Sequence, residues 1–172
     1  MIRQATTYDI DRILSIVGDA QLSLRDLGID QWQDGYPSRS VIESDIERGI
    51  GYVLTDSDNE AIGYAAIVLT GEEAYLQIED DMWHTPHDYV VVHRLCVAGG
   101  TRRRGVAMEL MHHAANVARG GDIHAFRIDT HRGNVRMLAM LEKLGFAYVG
   151  IIHYASGERL AYDLNLRISK TL

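Results

Sequence analysis

Cysteine occurs once in the 172 residues, at Cys96. A lone thiol forms no internal disulfide and offers no cysteine pair to a metal, a usage that fits a reducing compartment. Its plainest role is that of a small buried hydrophobe, and no metal is expected. Long apolar runs are missing too: no stretch approaches the roughly 18 residues that a membrane span requires. The opening MIRQATTYDI has none of the charged-then-apolar layout of a secretory leader. Together these absences exclude a membrane partner and predict a cytoplasmic protein. Lysine is confined to Lys143 and Lys170, so arginine supplies almost all of the 17 basic residues, against 24 acidic ones and a formal net charge of −7. An acidic chain without a sustained basic face is a poor partner for nucleic-acid phosphates.

What the chain does have is an ordinary globular balance. Apolar residues make up 47% and charged residues 24%, which excludes both a disordered and a membrane-embedded class. The length fits one domain over 1–172, with enough chain to close a core. Met1 to Ala5 reads as a first strand. Thr6-x-x-Asp9 resembles a capping box, and Ile10, Ile13, Leu14, Val17, Ala20, Leu24 and Leu27 recur at helical spacing. This predicts a first helix, interrupted near its middle or ended at Gly28. The irregular IDQWQDGYP follows, then a second helix from Ser38 or Ser40 to about Arg48. Gly51 to Thr55 and Ala61 to Leu69 form a hairpin around DSDN. Gly71 to Asp88 has no period, and its aromatics and histidines mark it as a candidate functional loop.

The second half is patterned more sharply. VVVHRLCV, Val90 to Val97, suits a buried central strand. Gly105 to Arg119 carries an apolar stripe, so a helix ends there at Gly120 and Gly121. A strand over Phe126 to Thr130 precedes a helix from Asn134 to Leu144, stopped by Gly145 with Phe146 folding back on it. Two strands, Ala147 to His153 and Arg159 to Leu166, close the chain. The element order predicts an α/β fold with a mixed sheet.

Between the buried strand and the following helix lies TRRRGVA. A helix start presents backbone N–H groups without internal partners and the positive end of the helix dipole, so an anion is the natural occupant. From charge alone, a solvated basic turn that merely caps the helix is the favoured reading. The segment lacks the lysine of a P-loop and the glycine spacing of a dinucleotide fingerprint. What it holds is Arg102-x-x-Gly105-x-Ala107, preceded by Leu95-x-Val97. That pattern resembles the coenzyme A-binding motif of the GNAT superfamily of N-acetyltransferases. The similarity continues through FRIDTHRGNVRMLAMLEKLGF, with Asn134, Lys143, Gly145 and Phe146 in the expected places, and through the opening strand and helix. GIDQWQDGYP, HRLCV and RLAY resemble a bacterial subgroup of that superfamily, so the similarity spans essentially the whole chain.

The resemblance implies a single GNAT-like domain, with a mixed, mostly antiparallel sheet of about seven strands flanked by about four helices. It implies a splay between Val90 to Val97 and Phe126 to Thr130. Acetyl-CoA would be the co-substrate, lying against main-chain groups of Leu95, Cys96 and Val97. Its phosphates would meet Arg102, Arg103, Arg104, Gly105, Val106 and Ala107, and its pantetheine arm would meet Asn134, which serves equally as a helix N-cap. The implied reaction is transfer to a primary amine of a small molecule or peptide, with homodimers common in the family. Val97 N–H is the candidate oxyanion donor. His93 is the candidate base, because histidine titrates near neutral pH; a buried core histidine is the competing reading, and His131 is a weaker candidate. Trp32, Tyr36 and Trp83 are candidate pocket walls, and pinning of loops to the core is their alternative role. The acid tyrosine that many members carry on the asparagine helix is replaced by Leu141, with Tyr148, Tyr154 and Tyr162 as possible substitutes. That replacement keeps open a non-catalytic acyl-CoA sensor.

Overall fold

The computed structural model describes residues 1–79, 82–86, 88–101 and 105–172. Among them, strands and helices follow in the order β1 (Ile2–Gln4), α1 (Ile10–Asp26), α2 (Arg39–Glu47), β2 (Gly51–Thr55), β3 (Ala61–Val68), β4 (Tyr89–Val97), α3 (Val106–Gly120), β5 (Ala125–Thr130), α4 (Val135–Leu144), β6 (Ala147–Tyr154) and β7 (Gly157–Asn165). The seven strands pair in the order β1-β2-β3-β4-β5-β7-β6. β1 with β2, β2 with β3, β5 with β7 and β6 with β7 are antiparallel, whereas β4 and β5 are parallel. The expected α/β class and mixed sheet are therefore present.

Local sequence explains where the helices begin and end. Before α1, Thr6 N–H donates to Asp9 Oδ2 at 2.8 Å, one arm of the expected capping box. Arg3 also forks onto Asp9, at 2.8 Å through each contact, and this bond is the main reason the carboxyl falls to about 2. α1 then runs without a break to Asp26. It closes with Gly28 N–H on Arg25 O and Ile29 N–H on Leu24 O. α4 ends in the same manner: Phe146 N–H reaches Leu141 O at 3.0 Å and Gly145 adopts φ 82°, the left-handed conformation that glycine enters without penalty. Phe146 then meets Phe126 edge to face, with ring centroids 5.1 Å apart.

The chain divides into two compact units. The first comprises Met1–Ile67 and Val92–His113, and the second Val68–Val91 and Ala114–Leu172. In the first, Ile13, Ile16, Val17, Ile42, Val53, Tyr64 and Cys96 belong to one buried cluster. In the second, Tyr75, Tyr89, Val91, Ala125, Val149 and Ile152 form another. The stretch expected to be irregular, Gly71 to Asp88, belongs to the second unit. It contains a 3-10 turn at Glu73–Gln77, and Glu79 bridges to Ile151 as a short antiparallel pair.

One close approach fixes where α3 begins. A Cβ on Gly63 of β3 would stand 2.4 Å from Val106 Cγ1 and 3.2 Å from Leu110 Cδ1, so the first turn of α3 sits directly on a bare strand backbone. Such contacts are intolerant of added volume. Gly63→Ala is expected to lower stability by about 1–3 kcal/mol, read as a fall in the urea midpoint. An unchanged midpoint would show that Val106 yields without cost.

Candidate active site

In the first unit, β4 carries its apolar run into a turn. Val92 is buried, His93, Arg94, Leu95 and Val97 are half-buried, and Cys96 is buried again. Past the strand, Ala98 N–H donates to Ile62 O at 2.9 Å. Because successive N–H groups along a strand point to opposite edges, this orientation turns Val97 N–H toward the edge away from β3. Gly99 N–H then donates to Asp19 Oδ2 at 2.7 Å, tying the 3-10 turn Gly99–Thr101 to α1. Arg102, Arg103 and Arg104 lie outside the described residues. Gly105 resumes the chain with φ 80°, exposed, and a Cβ there would meet nothing within 4 Å. Val106 and Ala107 supply the first amides of α3, whose N–H groups have no acceptor within the helix.

Arg94 is the residue that sequence reasoning missed. Its φ of 55° is left-handed within a strand, a conformation that costs a non-glycine residue of order 1–3 kcal/mol and needs support from its surroundings. The guanidinium supplies that support. Nε and Nη2 donate to the two oxygens of Asp45 on α2 at 2.8 and 2.7 Å, and Nη1 donates to the Tyr36 hydroxyl at 2.8 Å. Tyr64 OH donates to Asp45 Oδ2 at 2.6 Å. Burial works against the charge on Arg94, but Tyr36 and Asp45 outweigh it and hold the guanidinium above its ordinary value. Burial, joined by Asp45, pushes the Tyr64 phenol well above the usual range. An arginine inside an apolar run was the available signal, since a buried cation requires a partner.

Two of the three candidate pocket aromatics come together. Trp32 and Tyr36 meet edge to face with centroids 6.4 Å apart, and Trp32 packs partly against the core of the first unit. Trp83 belongs to the second unit, where its Nε1–H donates to Tyr75 O at 2.9 Å. Its ring lies against Tyr75 and Tyr89 and under the Arg127 guanidinium, 4.4 Å from the centroid. Arg127 in turn donates to Thr85 O and Pro86 O, both at 2.9 Å. Trp83 is thus a pin for residues 82–86. Asp80 and Asp81, acidic neighbours of Trp83 in the sequence, lie outside the described residues.

Also in the second unit, Asn134 Oδ1 accepts from Met137 N–H at 3.3 Å, so the asparagine caps α4 and its NH2 group is not used by the cap. His131 Nδ1 accepts from Gly133 N–H at 3.0 Å. Leu141 is fully buried. Among the tyrosines, Tyr154 OH donates to Asp129 Oδ2 at 3.0 Å, and burial together with Asp129 raises its phenol far above the ordinary value. Tyr148 and Tyr162 meet edge to face. Among the described residues, no group of three or more His, Cys, Asp or Glu is arranged to hold a metal ion, and no helix is long and apolar enough to cross a membrane.

A family model described as "Acetyltransferase (GNAT) family" matches residues 21–146. The crystal structure of a GNAT-family acetyltransferase from Streptococcus agalactiae 2603 is 36% identical, with a TM-score of 0.86 over 96% of this chain and 94% of that one. Two more distant structures share the fold. A GNAT-family acetyltransferase from Listeria monocytogenes 4b F2365 has 19% identity and a TM-score of 0.74, over 96% of this chain and 94% of that one. The ribosomal-protein-S18-alanine N-acetyltransferase of Escherichia coli has 16% identity and a TM-score of 0.67, over 96% and 93%. The search of curated proteins returned no match.

Acyl transfer can pass through an enzyme thioester or go directly to the acceptor, and the first route needs a thiolate. Cys96 is 4% exposed, and burial pushes its thiol up to about 12. It therefore stays protonated at neutral pH and makes a poor nucleophile. The folded protein is expected to be inert to DTNB at about pH 8 and to react only once unfolded. Rapid reaction of the native protein would restore the covalent route.

Proposed function

The chain belongs to the GNAT acetyltransferase family, and from that premise we propose that residues 1–172 act as one cytoplasmic N-acetyltransferase domain. It would move an acetyl group from acetyl-CoA to a primary amine of a small molecule or peptide by direct attack. The observation that carries this reading is the turn leading into α3: Gly105 at φ 80° with open space above it, followed by the first helical amides at Val106 and Ala107. A bare backbone there suits close approach by a phosphate.

When bound, acetyl-CoA supplies a thioester carbonyl as electrophile and a thiolate as leaving group. The chain's own groups then have separate duties. Gly105, Val106 and Ala107 hold phosphate through N–H donors, with one or two of Arg102, Arg103 and Arg104 adding charge-assisted contacts. Main-chain groups of Leu95, Cys96 and Val97 receive the pantetheine arm as an added strand. This role is supported by the parallel ladder between β4 and β5, whose pairs run from Tyr89↔Ala125 to Val91↔Arg127 and engage none of those three residues. The Asn134 NH2 group donates to the same arm. Val97 N–H, turned away from β3, stabilises the developing oxyanion, and His93 removes the proton that the acceptor ammonium must lose. Trp32 and Tyr36 wall the acceptor side, while Trp83 contributes through the segment it pins.

Leu141 favours a second reading, an acyl-CoA sensor that binds without turnover, because the helix position where many relatives place an acid phenol carries no proton to give. Thiol release across a panel of primary amines separates the two: turnover with any amine removes the sensor.

Isothermal titration is expected to show micromolar or tighter binding of acetyl-CoA, and no heat with either acetyl-CoA or CoA would sink both readings. Gly105→Val should eliminate that binding, with a stability cost of roughly 1–2 kcal/mol from the left-handed backbone alone. His93→Ala should lower kcat at neutral pH about 10²-fold or more with CoA affinity nearly unchanged, and an unaltered rate would remove His93 from the mechanism.

A further inference from the structure

Arg94 makes more contacts than Asp45 requires. Two of its nitrogens already complete a bidentate pair with the buried carboxylate, which neutralises both charges. The third reaches 2.8 Å outward to the hydroxyl of Tyr36, a residue 38% exposed in the turn between α1 and α2. That turn is held from other sides as well. Tyr36 N–H donates to Asp34 Oδ1 at 3.2 Å, Gln21 Nε2 donates to Tyr36 O at 3.1 Å, and Gln33 Nε2 donates to Gln21 O at 3.0 Å. A guanidinium has donors only, so the Tyr36 oxygen must accept from Arg94 and its own proton must turn to another acceptor. None of the hydrogen bonds among the described residues uses Tyr36 OH as donor. The left-handed residue of β4 thus fixes an exposed aromatic ring and leaves a hydroxyl proton directed elsewhere.

We propose that Tyr36 is the acceptor-reading residue of this enzyme and Arg94 its positioning residue. The Tyr36 O–H donates to an oxygen that the amine substrate carries close to its amino group, as in an amino-acid amide or a peptide N-terminus. The inference rests on the acetyltransferase reading and names the substrate class for it: amines with a neighbouring carbonyl or hydroxyl, preferred over plain alkylamines. Arg94 acts through Tyr36 and touches no substrate. Because it also lies immediately before Leu95, Cys96 and Val97, the strand segment proposed for the co-substrate and the turn proposed for the acceptor share one anchor.

The test compares wild type, Tyr36→Phe and Arg94→Lys with paired amines, an amino-acid amide and the alkylamine of equal length. Wild type should favour the amide. Loss of one neutral hydrogen bond should raise the amide KM about three- to tenfold more than the alkylamine KM in Tyr36→Phe. A purely structural role for Tyr36 would change both amines alike. Arg94→Lys keeps a cation for Asp45 but cannot fork onto the carboxylate and reach Tyr36 together, so it should reproduce the amide defect. It should also increase acrylamide quenching of Trp32, which lies against Tyr36, in the absence of any substrate. Should Arg94→Lys fail to fold, Tyr36→Phe alone decides. Turnover by wild type with no amide preference, or a Tyr36→Phe enzyme indistinguishable from wild type, overturns the inference and leaves the acetyltransferase reading standing. Absence of turnover with every amine overturns that reading first.

Discussion

The buried pair of Arg94 and Asp45 governs the first unit. Neither partner is tolerable alone: an unpaired carboxylate or guanidinium at that depth would carry a desolvation cost of several kcal/mol. Paired, they license a left-handed arginine inside a strand, and Tyr64 satisfies the remaining demand of the carboxylate. The pair links α2 to β4 across 49 residues of sequence. It joins the half of β4 that leads into the turn before α3 to the helix that follows the Trp32 and Tyr36 turn. A bend placed there by glycine would be cheaper and would connect nothing. Arginine makes the bend conditional on α2 being seated.

Net charge imposes a second constraint. A chain at −7 repels a polyanionic ligand at long range, but fields between exposed charges fade over about 8–10 Å at physiological salt. Anion binding therefore has to come from donors in direct contact. Backbone amides at the start of α3 suit this well, since they need no counter-charge elsewhere and sit where Gly63 lets the helix come down on β3. The geometry that fixes the helix start also limits how the proposed phosphate site can be built.

Much of this was legible because it is local. The glycine–phenylalanine stop of α4, the Asn134 cap, the Thr6 and Asp9 box and the buried run of β4 each depend on residues within a few positions of one another, and period and capping chemistry report such features directly. What escaped was long-range and polar. Asp45 sits at a position that reads as the solvent side of a short helix, and nothing nearby announces Tyr64 or Arg94. FRIDTH alternates as if Arg127 and Asp129 faced water. In the fold, Tyr75, Trp83, Thr85 and Tyr89 meet these side chains and replace solvent with rings, a hydroxyl and a carbonyl. The aromatics that mark Gly71 to Asp88 as a candidate functional loop also serve the core of the second unit. Tertiary cover overrides the exposure that strand alternation alone suggests.

Leu141 shows how packing and chemistry compete for one position. Its carbonyl receives the Phe146 amide at the end of α4 and its side chain is fully buried, so a phenol there would need a buried acceptor for its hydroxyl. The chain spends the position on packing. Tyr154 does not compensate, because its proton is committed to Asp129 and its acidity is suppressed by burial. Under the proposed reaction this loss is tolerable: a thiol with a reference pKa of about 8.5 leaves as thiolate near neutral pH at a cost of only about 2 kcal/mol relative to full proton transfer. The more demanding proton is the one on the acceptor ammonium, since an amine that remains protonated cannot attack at all. Under the proposed reaction the chemical demand therefore falls on the acceptor side, on His93 and on the turn that Arg94 holds through Tyr36, rather than on the departing group.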